Sequence, residues 1–202
     1  MKFCIFLFIV LLINCNSFTK RCDDYFLSAK RNYISYFKDY EDSLLLTAKG
    51  QIDSSLQCDN DLEEKVKMKF TLLLLLKEFD EAKKLAAKYD QINTISPSFS
   101  KDDAIAYVSV IECKYKGDKE CLAKNVDYLL QNLEVAQNKN DQYYMMYYDL
   151  FSYKVSKETT ISFIIENPNL SKQQKEMLSE YIEYNDNPLG AYAKLGPLSK
   201  PN

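Results

Sequence analysis

Histidine and tryptophan are absent from this chain, and glycine and proline are scarce, at four and five residues. Without histidine the commonest general base is missing, and so are the Ser-His-Asp and Cys-His arrangements that activate a nucleophile. A zinc site loses its usual nitrogen ligand, and no CxxC pair offers sulfur in its place. Gly50, Gly117, Gly190 and Gly196 stand apart, so there is no glycine-rich phosphate loop. Such poverty in turn-formers argues against a sheet and for long helices. Excess positive charge is lacking too: 26 Lys+Arg stand against 29 Asp+Glu, which disfavours a nucleic-acid partner. Neither a cofactor nor a metal ion is expected.

What is present begins with an apolar run, Phe3 to Ile13, behind the single basic residue Lys2 and ahead of Asn14-Cys15-Asn16-Ser17. Its length falls well short of the ~20 apolar residues a membrane-spanning helix needs, and its flanks match a secretory signal peptide. The competing reading is a buried N-terminal helix. Two processing routes are open. A cut after Ser17 has small residues at Cys15 and Ser17 and gives a soluble exported protein. Leu12-Ile13-Asn14-Cys15 resembles a bacterial lipobox, with Cys15 lipidated, and that anchor is the one membrane contact expected. Both routes lead out of the cytoplasm, to the periplasm, the envelope or the medium. The expected organisation is a signal over residues 1–17 (or one ending before Cys15), a helical domain over 18–184, and an irregular tail over 185–202.

Either cut leaves Cys22, Cys58, Cys113 and Cys121, an even number in an oxidising setting, which predicts two disulfides.

The centre of the chain is Leu72-Leu73-Leu74-Leu75-Leu76-Lys77-Glu78-Phe79-Asp80-Glu81-Ala82. Five consecutive leucines are apolar all round a helix, so the segment is expected to be packed on more than one side. Lys77-Glu78 then reads as a turn, with Asp80 and Glu81 in the first turn of the next helix, where the helix dipole favours acids. Phe37-Lys38-Asp39-Tyr40-Glu41-Asp42-Ser43 matches this stretch in chemical type, 39 positions earlier. That places a first turn at Lys38-Asp39, between a helix from about Asp23 carrying Tyr25, Phe26, Tyr33, Tyr36 and Phe37 and a second carrying Tyr40, Leu44, Leu45 and Leu46. Equal steps reach Lys116-Gly117-Asp118, where glycine suits a left-handed closure, and Val155-Ser156-Lys157, where Ser156 can cap a helix. Ser100 is a further N-cap, and Ser171 to Gln174 forms a capping box opening a last helix to about Tyr184. The fold predicted is all-α: a solenoid of about four antiparallel helical hairpins plus a C-terminal helix.

Leu76-Lys77-Glu78-Phe79-Asp80-Glu81-Ala82 resembles the turn and early second helix of a tetratricopeptide repeat, in which an aromatic residue and a small one three positions on pack a helix against its partner. Tyr40 and Ser43 share that look. The resemblance covers the turn half of each repeat and implies a concave surface that holds a protein or peptide.

Two features compete for function. The carboxylate pairs Glu41-Asp42, Glu63-Glu64 and Asp102-Asp103 are a residue type that glycosidases use. Each lies in or near the first turn of a predicted helix, so a structural role is expected, and a glycan-cleaving enzyme is the lesser alternative. The other feature is Tyr143, Tyr144, Met145, Met146, Tyr147, Tyr148 and Phe151. On a helix Tyr143, Tyr147 and Phe151 form one stripe and Tyr144 and Tyr148 the next. Tyr143, Tyr144, Met145, Tyr147 and Tyr148 are therefore candidate partner contacts, because they join apolar area to a polar tip or a deformable side chain. The competing reading, and the commoner role of such a stripe, is core. An exported protein of this make-up is expected to bind a protein partner, as an immunity protein against a toxin or as an envelope scaffold, and not to catalyse a reaction.

The hairpin scheme also selects a disulfide pairing. Cys113 and Cys121 flank Gly117 at equal distance, and Cys22 and Cys58 lie at the open end of the first hairpin. Antiparallel helices pack ~8–10 Å apart, near enough for inward-facing cysteines to bridge. Cys22–Cys58 and Cys113–Cys121 are the expected bonds. Asn169-Leu170-Ser171 is a glycosylation sequon, read here as a loop and helix cap.

Overall fold

The computed structural model describes residues 2–57, 62–88, 100–135, 139 and 141–184, with residues 2–20 described at the level of backbone alone. These contain nine α-helices and no strand: α1 (Lys2–Asp39), α2 (Asp42–Ser55), α3 (Leu62–Leu75), α4 (Phe79–Lys88), α5 (Lys101–Lys116), α6 (Lys119–Glu134), α7 (Asp141–Lys154), α8 (Lys157–Glu166) and α9 (Lys172–Tyr184). The all-helical fold is as predicted, and the packing of consecutive helices, α1 on α2, α2 on α3, α5 on α6 and α8 on α9 among them, is compatible with a run of helical hairpins. Among the described residues, no helix is long and apolar enough to cross a membrane. The tail at 185–202, Cys58, and most of the predicted loops at 96–100 and 138–141 lie outside the described residues.

The chain divides into two compact units, Met1–Leu76 and Lys77–Asn202. In the first, Phe26 and Ala29 of α1 meet Leu45, Ala48 and Ile52 of α2 and Leu72 of α3 in one apolar cluster. Ala29 and Ala48 are fully buried, and their small side chains let α1 and α2 approach closely. Leu72, Leu73 and Leu74 are all buried, as five leucines in a row require, while Leu75 and Leu76 pack partly against the same cluster. Each such side chain contributes about 1.5–3 kcal/mol by leaving water. Polar ties frame the core: Asn32 donates to Gln51 at 2.8 Å, Lys30 pairs with Glu64 at 2.9 Å, and Lys69 pairs with Asp53 at 2.5 Å.

Two details of this unit differ from what the sequence pattern predicts. Helix α1 is continuous from Lys2, instead of starting near Asp23. The first turn lies at Tyr40-Glu41 and not at Lys38-Asp39: α1 runs through Asp39, and Tyr40 is left-handed at φ 53° and 61% exposed. Aromatic packing explains the shift. Tyr33 with Phe37, Tyr36 with Phe37 and Tyr36 with Tyr40 make edge-on contacts at 5.1, 5.3 and 6.0 Å, which carry the helix past Lys38. Tyr40 and Ser43 are exposed, whereas their counterparts Phe79 and Ala82 are buried.

In the second unit α5 packs between α4 and α6 and is buried on several sides through Ala104, Tyr107, Val108, Ile111 and Cys113. Helix α4 buries Phe79, Ala82, Leu85 and Ala86, and α6 buries Val126, Leu129, Leu130 and Leu133, each a single stripe at helical spacing. The predicted caps are in place. Ser100 and Asp103 form a reciprocal capping box on α5, Ser156 accepts from the Thr159 amide, and the Ser171 and Gln174 side chains each accept from the other's backbone N–H. Gly117 closes α5 at φ 71°, with the Asp118 amide donating to the Cys113 carbonyl at 2.9 Å. Cys113 and Cys121 are bonded across this turn, Cα atoms 5.7 Å apart. Cys22 is also disulfide-bonded.

Candidate functional site

Helix α7 opens at Asp141 and packs against α6, α8 and α9. Its alternation of tyrosine, methionine and leucine leaves few polar positions, so it is half sunk in the unit. Tyr143, Met146, Tyr148, Asp149 and Leu150 are buried, and Tyr144, Met145, Tyr147 and Phe151 are half-buried. Of the five candidate contacts, then, Tyr143 and Tyr148 are mainly packed and Tyr144, Met145 and Tyr147 keep solvent-facing area. Tyr148 joins Ile164 of α8 and Leu178, Tyr181 and Ile182 of α9 in an apolar cluster.

The two predicted stripes exist as ring ladders. Tyr143 and Tyr147 stack at 5.9 Å and 18°, and Tyr147 and Phe151 at 6.1 Å and 9°. Tyr144 and Tyr148 stack at 6.4 Å and 20°. Phe151 meets Phe163 of α8 edge-on at 5.2 Å. Together these rings line a groove of about 530 Å³, bordered by Asn167, Pro168 and Asn169 and by Glu134, Glu166 and Lys139. Asn167 donates to the Tyr148 hydroxyl at 2.8 Å, which ties the α8–α9 loop to α7.

Burial pushes the Tyr143 hydroxyl up to about 12, helped by the neighbouring Tyr147 and Tyr144 and by the Glu134 carboxylate. Burial and then Glu134 raise Tyr147 as well, and burial raises Tyr148 against the opposing hydrogen bond from Asn167. Further along α7, Tyr153 donates to the buried Asp149 at 3.2 Å, and burial followed by that carboxylate holds both Tyr153 and Tyr181 well above the ordinary phenol range. These hydroxyls therefore stay protonated at physiological pH, Tyr153 donating to Asp149 and Tyr148 accepting from Asn167.

Within the carboxylate pairs, Glu63, Glu64 and Asp103 are engaged by partners inside the fold. Glu63 is paired with Lys67, Glu64 with Lys30, and Asp103 accepts from Ser100 and from Asn132. Glu41 occupies the N-cap position of α2 and Asp42 its first turn.

The tyrosines stand together in the sequence, whereas Glu134, Phe163, Glu166 and Asn167, which line the same groove, stand apart from them. Those residues come from the end of α6, from α8 and from the loop after it, and no local pattern links them to α7. No family model, curated protein or solved structure matches this chain.

Proposed function

We propose that this is an exported helical-repeat protein that binds a protein partner through the α7–α8 face. The observation that carries the reading is the aromatic groove. Half-buried Tyr144, Tyr147 and Phe151 line it together with Phe163 of α8, which is 53% exposed. Tyrosine-rich concavities of this kind supply large contact area at low side-chain entropy cost. The groove is floored by tyrosine and phenylalanine rings, which favours binding over catalysis. The tetratricopeptide-like turn at Phe79 and Ala82, both buried, supports the same kind of activity. Neutralising a toxin, as an immunity protein does, and scaffolding an envelope complex both call for such a surface.

Export rests on the apolar run at the head of α1. The α1 residues in the apolar cluster, Phe26 and Ala29, lie downstream of both candidate cuts and are retained after either. Intact-mass measurement on protein purified from its own source is expected to show a start at Phe18 or a lipidated Cys15; an uncut Met1 terminus refutes export by this route. For binding, Tyr144→Ala, Met145→Ala and Tyr147→Ala combined should abolish partner capture while retaining most of the melting temperature. Full capture by that variant refutes the assigned face.

A further inference from the structure

We propose that the α7–α8 groove receives an arginine side chain from a basic segment of the partner. This rests on the protein-binding reading above and specifies the chemistry of what is bound.

Three observations carry it. The groove's floor is aromatic: half-buried Tyr144, Tyr147 and Phe151 and the exposed Phe163 line it and offer ring surface to a planar cation. Its rim is acidic. Glu134 at the end of α6 and Glu166 at the end of α8 both border it, and neither has a salt-bridge partner among the described residues, whereas Glu112, Asp127 and Glu176 of the same unit are paired with lysines. Against these two carboxylates stands one lysine, Lys139. The chain also shows the interaction in its own side chains. Lys139 Nζ lies 5.8 Å from the Tyr143 ring centre, and Lys114 Nζ lies 4.0 Å over Tyr153.

The Glu134 carboxylate acts on the rings, helping to raise both Tyr143 and Tyr147, and at Tyr147 it outweighs the opposing Lys154, which is itself paired with Asp127. An anionic ligand would meet the two rim carboxylates. A purely apolar one would strip water from them without return. Arginine suits the site better than lysine because its guanidinium is planar and weakly hydrated, stacks on an aromatic face and can offer paired donors to a carboxylate.

The test uses the full chain and fluorescence anisotropy with labelled oligoarginine, oligolysine, oligoglutamate and glycine–serine peptides of equal length. Expected is the order arginine, lysine, then the other two, with affinity falling as salt rises. The E134Q/E166Q variant should weaken oligoarginine about fivefold, as loss of two exposed charge pairs implies. Tyr147→Leu should weaken it about fivefold and Tyr147→Phe, which keeps the ring face, by less. Far-UV circular dichroism must show each variant fully helical; if a variant unfolds, competition by free arginine amide on the native chain decides the same question. Oligoarginine binding no better than glycine–serine, or surviving E134Q/E166Q unchanged, overturns the inference. Choline competing as well as arginine amide overturns it in favour of a small quaternary ammonium ligand. Capture of a partner that needs the α7 residues but is not displaced by oligoarginine defeats the arginine assignment and leaves the protein-binding reading standing. Oligoarginine binding without any captured protein defeats the reading instead.

Discussion

Asp103 joins local capping to tertiary packing, and its removal tests both. It is 3% exposed in the first turn of α5. One carboxylate oxygen accepts from the Ser100 backbone N–H at 2.7 Å and from the Ser100 hydroxyl at 2.8 Å. The other accepts from Asn132 of α6 at 2.5 Å. Asp103→Ala deletes the returning half of the capping box, worth about 1 kcal/mol, and a charge-assisted bond worth about 1.5–3 kcal/mol. It also leaves the Asn132 amide without that acceptor. The sum is about 3 kcal/mol, or about 6–12 °C in melting temperature for a chain of this size. In urea with a slope of about 2 kcal/mol/M the midpoint moves down by about 1.5 M. Denaturation followed by far-UV circular dichroism measures this directly. Ser100→Ala should cost only about 1 kcal/mol, and a double-mutant cycle between Asp103→Ala and Asn132→Ala should show coupling above about 0.5 kcal/mol. A loss below about 1 kcal/mol for Asp103→Ala, or strict additivity with Asn132→Ala, refutes the reasoning.

Three further outcomes are expected. Gly117→Ala should destabilise by about 1–2 kcal/mol through its left-handed backbone alone, because an added Cβ meets nothing within 4 Å; a melting-temperature comparison with wild type checks it. Alkaline stability should fall above pH 10: the unfolded chain ionises its tyrosines near 10.0 while Tyr33 and Tyr143 stay neutral to about 12, so their contribution is complete below pH 10 and is lost as pH climbs toward 12. Urea titrations across that range should show the decline, and a smaller one for Tyr143→Phe. Replacing both Cys113 and Cys121 by alanine should cost about 2.5 kcal/mol from the short loop they close, and non-reducing peptide mapping should find that bond together with Cys22–Cys58.

The features legible in the sequence are those set by chemistry within a few residues. Ser100, Ser156 and Ser171 declare helix starts because a side-chain oxygen three positions before an amide is a local event, and Gly117 declares a stop because its φ of 71° suits no other residue as well. The leucine run announces burial without naming its neighbours. The first turn falls later than the sequence pattern places it because left-handed Tyr40, like Lys77, is not a glycine; their φ angles are 53° and 61°. Such residues take that conformation when flanking packing outweighs a cost of about 1–2 kcal/mol, and at Tyr40 this packing is set by Tyr33, Tyr36 and Phe37 together. The groove is hidden for a related reason. Its tyrosines share one helix, but Asn167 reaches Tyr148 across 19 positions, and Glu134 and Glu166 are ordinary helix-end acids until the fold brings them beside the rings.

The Cys113–Cys121 bond also governs how the chain responds to tension. Pulled from its ends, the oxidised chain cannot extend the segment between the two cysteines, whose Cα atoms stay 5.7 Å apart. Eight links of about 3.5 Å would otherwise supply about 28 Å of length, so about 22 Å remains hidden until the sulfurs are reduced. The bend between α5 and α6 therefore outlasts the helices it joins. A chain drawn through a narrow pore or refolding from a stretched state carries that bend throughout, and the α5–α6 pair starts its reassembly with the ends of the loop already together.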